Sequence, residues 1–204
     1  MLARLLVLIL LAFAGPAAAQ TAPAAPAGPV RVALETSAGR IVLELDAGHA
    51  PVTAGNFLRY VDARRLDGTE FYRAMRLGAG GLVQGGLRDP RRLFPPIAHE
   101  PTSRTGLPHV DGAISMARLD PGTAQMDFFI MVGAQPGFDA ARMAAGAQPS
   151  SAELGFAVFG RVVEGMDVVR QILAAPTSPT EGEGVMRGQM LSPRIRILTA
   201  RRLP

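Results

Sequence analysis

The 204-residue chain contains no cysteine, no tryptophan and no lysine. Without cysteine there is no disulfide framework, no thiolate-ligated zinc or iron–sulfur centre and no thiol nucleophile. Without lysine there is no Schiff-base chemistry and no phosphate-binding loop of the kind that depends on its lysine. All 21 basic residues are therefore arginine, and against 17 acids they leave a net charge of +4. Aromatic residues make up only 5% and interleave with no basic run. The arginines are scattered, with short pairs at Arg64-Arg65, Arg91-Arg92 and Arg201-Arg202. That spacing reads as a solvated surface and gives no nucleic-acid partner, which would call for a concentrated basic patch with stacking groups. With 48% hydrophobic and 19% charged residues, the composition excludes a mainly disordered chain and suffices for one domain with a sizeable core.

What is present begins with an address. Met1 to Arg4 is a short positive head, Leu5 to Ala14 an unbroken apolar run, and Ala17-Ala18-Ala19 before Gln20 fits an A-x-A cleavage site. This is the three-part pattern of a secretory signal peptide over residues 1–19. The alternative is a membrane anchor, but spanning takes about 20 apolar residues. The reading implies a periplasmic or secreted protein with no stable membrane insertion once the segment is removed. Residues 20–29, QTAPAAPAGP, read as an Ala/Pro-rich linker. The folded domain is expected over residues 30–204.

Within that domain, Val30, Val32 and Leu34, then Ile41, Leu43 and Leu45, recur at every second position around Ser37-Ala38-Gly39. That is a β-hairpin with a buried face. Pro51 to Asp62 suits an amphipathic helix opened by proline. Short apolar strings follow at Glu70–Ala74, Leu82–Gln84, Gly112–Ala117, Asp127–Val132 and Phe156–Val163, separated by Gly, Pro and Asp. Gly165 to Leu173 reads as a second helix stopped before Pro176, and Arg194–Thr199 as a closing strand. Many antiparallel strands with two helices favour a mainly β fold, a closed barrel with helices over its ends.

The common catalytic signatures are missing. His49, His99 and His109 share no metal-binding spacing and read as solvated or hydrogen-bonded surface residues, with a loop-built metal site as the alternative. Ser115 is not in a nucleophile elbow. The glycines from Gly78 to Gly86 do not open a helix and so do not cradle phosphate.

Five strings carry a more specific signal by their order: Phe71-Tyr72-Arg73, Gln84-Gly85-Gly86, Ile114-Ser115-Met116-Ala117, Phe128-Phe129-Ile130 and Phe156-Ala157-Val158-Phe159-Gly160. Together with Ala50-Pro51-Val52-Thr53 and Phe159-Gly160-Arg161-Val162-Val163-Glu164-Gly165-Met166, they resemble the cyclophilin family of peptidyl-prolyl cis-trans isomerases from Val30 onward. The string Gly155–Gly160 is most similar to the exported bacterial branch of that family.

The resemblance implies a closed eight-stranded antiparallel β-barrel capped by two α-helices. It implies isomerisation of Xaa-Pro bonds in proline-containing polypeptides, with no cofactor or metal and in a monomer. By the same resemblance Arg73 is the catalytic residue, and Leu82, Gln84, Ala117, Arg118, Phe129, Phe138 and Phe156 bind substrate. At Arg118 the family binds peptide through the backbone, so the side chain is free to vary. A module that binds proline peptides without turnover, or a holdase, is the alternative. Three departures stand out. The separation of Arg73 and Gln84, 84 − 73 = 11 residues, is longer than is usual in the family, and the added stretch Gly78–Gly81 is glycine-rich. Gly81 falls where the family places an aromatic wall of the proline pocket. Asp127 replaces a Gln, where it could pair with Arg73 or compete with substrate.

Overall fold

The computed structural model describes residues 28–141 and 150–204. The expected signal peptide, 1–19, and residues 20–27 of the expected linker lie outside the described residues. Nine strands among the described residues form one sheet: β1 (Val30–Thr36), β2 (Gly39–Leu45), β3 (Glu70–Leu77), β4 (Gly80–Gly86), β5 (Ala113–Met116), β6 (Phe128–Val132), β7 (Ala157–Glu164), β8 (Thr177–Ser178) and β9 (Met190–Arg202). Every pairing is antiparallel. The order β1-β2-β7-β5-β6-β4-β3-β9 closes because β9 also pairs with β1. The result is the expected closed eight-stranded barrel, and β8 is only a two-residue addition to β9. Closure leaves no sheet edge to cover, which a strand-rich chain of this size would otherwise have to manage.

The first hairpin forms where the period-two pattern puts it. Thr36 ties its turn, its hydroxyl donating to the Gly39 carbonyl at 2.6 Å while accepting from the Ala38 N–H at 3.1 Å. Helix α1 (Pro51–Asp62) follows the far end of β2. Its free N-terminal amides need acceptors, and buried Glu100 supplies them: Val52 N–H at 3.2 Å, Thr53 N–H at 2.8 Å and the Thr53 hydroxyl at 2.7 Å. The helix lays Phe57 edge-on against Phe128 and tilted against Phe159, each at 5.4 Å between centroids, filling that end of the barrel.

Helix α3 (Met166–Ala174) buries Val169, Ile172 and Leu173. Its Val168 lies against Gly39 at the start of β2, so α1 and α3 cover opposite ends. Gly165 precedes it at φ +85°, where a Cβ would fall on the Arg40 carbonyl; only glycine makes that turn from β7. The described residues also include a short helical turn, α2 (Thr102–Thr105), ended by Gly106 in the left-handed conformation.

The apolar residues separate into two bodies. The barrel interior holds one cluster that includes Leu34, Ile41, Phe57, Phe71, Phe128 and Phe159. A second cluster, Leu82, Ala113, Phe129, Met131 and Val158, lies on the other faces of β4, β5, β6 and β7. Alternation explains the split: Phe128 points in and Phe129 points out. This outer apolar sheet face carries the site.

Candidate active site

All eight residues expected at the site line one cavity of about 820 Å³ on the outer barrel face: Arg73, Leu82, Gln84, Ala117, Arg118, Phe129, Phe138 and Phe156. Its apolar part is a cup of three rings. Phe129 comes from β6, Phe138 from the short 3-10 turn Pro136–Phe138, and Phe156 from the entry to β7. Their centroids lie 5.8, 5.4 and 5.6 Å apart for the pairs 129–138, 129–156 and 138–156.

Arg73 stands on β3 directly opposite Gln84 on β4. The lengthened stretch between them is therefore not a loop inserted into the site. It extends both strands, with Leu77 facing Gly80 and only Gly78-Ala79 at the tip. The cross-strand pair is kept whatever the hairpin's length. Arg73 Nη1 donates to Gln84 Oε1 at 2.9 Å, Nε to Gln189 Oε1 at 2.8 Å, and Nη2 contacts the Met75 sulfur at 3.1 Å. Burial lowers its pKa somewhat, but a guanidinium starts so high that it stays a cation. Three of its five N–H groups are directed at protein, which fixes the plane and leaves two free.

The Gly81 departure resolves differently from a missing wall. Gly81 has φ +148°, and a Cβ there would fall on the Met75 carbonyl oxygen. The neighbouring strand supplies the surface instead: Met75, paired with Leu82, lines the cavity and packs on the outer cluster. Asp127 does not pair with Arg73. Its Oδ2 accepts from the Tyr72 hydroxyl at 2.8 Å, and its Oδ1 is buried without a partner among the described residues. Burial raises the pKa of both groups, so Tyr72 remains a phenol that donates.

The Arg118 side chain is engaged within the chain. It donates to the carbonyls of Gly155, 3.0 Å from Nε, and Ser151, 2.6 Å from Nη2, and its guanidinium lies 5.2 Å from the Phe156 ring centre. It thus holds the segment that presents Phe156. His109 likewise differs from a surface histidine. It is 1% exposed, with Nδ1 2.6 Å from Asp139 and Nε2 2.9 Å from Ser115. Its ring stacks on Phe129 at 5.9 Å and supports the floor of the cup from behind.

Other residues of the site were not anticipated. Met75 was findable, being two positions from Arg73 on the same strand face. Tyr72 was not: a register shift between Phe71 and Arg73 turns two successive residues toward the groove. Gln189 and Arg88 arrive from loops with no local signal. Among the described residues, no group of three or more His, Asp or Glu is placed to hold a metal ion.

The structure is thus a closed barrel with end-capping helices, carrying an apolar cup beside one immobilised arginine. Residues 31–201 match the family model described as cyclophilin type peptidyl-prolyl cis-trans isomerase/CLD, and the chain belongs to that family. It is 42% identical over 106 residues to a peptidyl-prolyl cis-trans isomerase, cyp18, of Streptomyces antibioticus, covering 50% of this chain and 61% of that protein. It is 40% identical over 106 residues to peptidyl-prolyl cis-trans isomerase A of Dickeya dadantii, covering 50% and 53%. The chain thus aligns with between half and two thirds of these relatives' length. A crystal structure of a cyclophilin type isomerase from Cryptosporidium parvum shares the fold, with TM-score 0.64 and 19% identity over 86% of this chain and 98% of that one. A second structure of that protein was determined in the presence of the dipeptide Ala-Pro, with TM-score 0.63 and 19% identity over 85% and 99%.

Proposed function

We propose that the protein catalyses cis-trans isomerisation of Xaa-Pro bonds, and that its clients are exported proteins folding beyond the inner membrane. The observation that carries the catalytic reading is Arg73, fixed by Gln84 and Gln189 in the same cavity as the ring cup of Phe129, Phe138 and Phe156. The barrier to rotation is amide resonance, about 18–20 kcal/mol. Nothing is cleaved, so neither nucleophile nor metal is called for. Twisting the amide returns a lone pair to the proline nitrogen. A cationic donor held in place strengthens its bond to that nitrogen only in the twisted state, and this differential binding lowers the barrier. The cup holds the proline ring, and Gln84 and Gln189 keep Arg73 from swinging away.

The role in export rests on the residue pattern of positions 1–19 and on the sequence likeness of Gly155–Gly160 to the exported branch. A monomer suffices, since every group used comes from one chain. The test of activity is NMR exchange on a short Ala-Pro peptide with the purified chain. Exchange cross-peaks that grow with enzyme concentration support an isomerase. Peptide binding without added exchange would support the alternative, a proline-binding module or holdase. Export is tested separately, by whether residues 1–29 carry a reporter out of the cytoplasm and are cleaved after Ala19.

A further inference from the structure

Arginines that are scattered in the sequence converge beside the proline groove. Arg65 Nη1 donates to the Arg92 carbonyl at 2.5 Å, and Arg92 Nη2 donates to the Arg65 carbonyl at 2.9 Å. In this reciprocal clasp each guanidinium reaches the other residue's backbone carbonyl, which ties the two arginines to one surface. Arg65 also lies 3.8 Å from the Phe94 ring centre, and Arg59 lies 4.3 Å from the same ring. Arg88, four residues before Arg92, lies 4.9 Å from the Tyr72 ring centre and lines the groove itself, as does Leu93.

Asp62 is paired with Arg202, Asp67 with Arg201 and Asp89 with Arg91; of the acids that line the groove, Glu181 faces Arg194 at 3.8 Å, and Glu183 lines it as well. None of Arg59, Arg65, Arg88 and Arg92 has an acid within 4 Å among the described residues. Asp127 contacts the Tyr72 hydroxyl, not Arg88.

Positive charges gathered on one surface without acids between them draw a polyanion, the more so at low salt. The carbonyl bonds explain where the side chains sit but satisfy one N–H each, leaving a forked donor face toward solvent. We propose that Arg59, Arg65, Arg88 and Arg92 form a docking surface for an acidic stretch of the same polypeptide whose proline occupies the groove. Continuity selects this occupant. Tyr72, Arg88 and Leu93 are shared by groove and basic face, so a chain leaving the groove on that side runs over the arginines. A nucleic acid would need open rings to stack on, and Phe94 and Tyr72 already carry guanidiniums.

This inference rests on the isomerase reading, and the test separates the two. Exchange rates are measured for an untagged Ala-Pro peptide and for peptides carrying three Glu or three Gln after a short Gly spacer, on the N-terminal and on the C-terminal side. The expected result is a several-fold higher kcat/KM for one of the Glu peptides over its Gln twin at low salt. The advantage should vanish at high salt and in the Arg65→Gln/Arg92→Gln variant. The salt arm uses only the wild-type chain, so it stands even if the variant fails to fold. Equal rates for the Glu and Gln peptides, with the untagged peptide still turned over, overturn the docking surface alone. No turnover of any peptide overturns the isomerase reading and this inference with it. Salt-sensitive binding of single-stranded DNA or of anionic lipid vesicles, without a Glu preference, would reassign the face to that polyanion and overturn the proposal.

Discussion

Truncating Phe156 to Ala separates the work of the cup from the work of Arg73. The ring is half-buried, against Phe129, Phe138 and the Arg118 guanidinium. Complete burial of a Phe is worth about 1.5–3 kcal/mol, so half of it contributes roughly 1 kcal/mol to the fold. The cation–π contact adds about 0.5–1 kcal/mol. The expected loss of stability is therefore about 1.5–2 kcal/mol, which leaves a domain of ordinary stability folded. For the substrate, one of three walls around the proline ring is lost, about 1.4 kcal/mol of apolar contact or roughly tenfold in affinity. That wall touches the ring equally in planar and twisted amides. Its removal should raise KM about tenfold and leave kcat nearly unchanged. Urea unfolding measures the first quantity, and NMR exchange over a range of peptide concentrations measures the second. A kcat that fell a hundredfold at constant KM would refute the division of labour. So would an unchanged KM.

Further outcomes follow from other positions. Gln189→Ala frees Arg73 Nε, and kcat should drop several-fold with KM nearly constant, since only the orientation of the cation is loosened. A similar loss on Gln189→Glu, which keeps the acceptor, would argue against positioning. Gly81→Ala places a methyl group on the Met75 carbonyl at a left-handed φ and should destabilise the β3–β4 hairpin by several kcal/mol, read from the unfolding midpoint. Stability should also fall on acidification in two stages. Burial holds the His109 pKa below 6.5, so the unfolded chain takes up a proton that the native state refuses; this stability is full above about pH 6.5 and declines below it. Arg201 and Arg161 hold Asp67 and Glu44 below 3.8 and 4.5, so their contribution persists above those values and is lost as pH falls through the native ones. Asp127, raised by burial, runs the opposite way and favours the fold most below pH 3.8. Urea midpoints that stay flat between pH 7 and pH 5 would contradict the His109 account.

The barrel was legible because its strands announce themselves locally. Val30–Leu45 alternates cleanly, and Phe128-Phe129 assigns one ring to each side of β6 by period alone. The order of short strings carried a family resemblance, and that resemblance implied what periodicity cannot, the closed eight-stranded barrel. What stayed hidden is non-local. Tyr72 turns toward the groove through a bulge that no alternation predicts. Glu100 caps α1 from 48 residues away in sequence. Gln189 reaches Arg73 across 116 residues, from a glycine-rich loop with no pattern. His109 looks like a loop residue until Asp139 and Ser115 close around it. The spacing of Arg73 and Gln84 looked like a defect because residue counts do not show that a hairpin can lengthen symmetrically about its tip.

The central claim is that a fixed cation at position 73 selects the twisted amide. The direct measurement is exchange spectroscopy on an Ala-Pro peptide with wild type and Arg73→Ala at matched, verified folding. Removing one charged donor aimed at a transition state costs about 2.7–4 kcal/mol, or about 10²–10³ in kcat. The account therefore predicts near-complete loss of enhanced exchange in the variant while peptide binding to the ring cup persists. Full exchange activity without the guanidinium would contradict it.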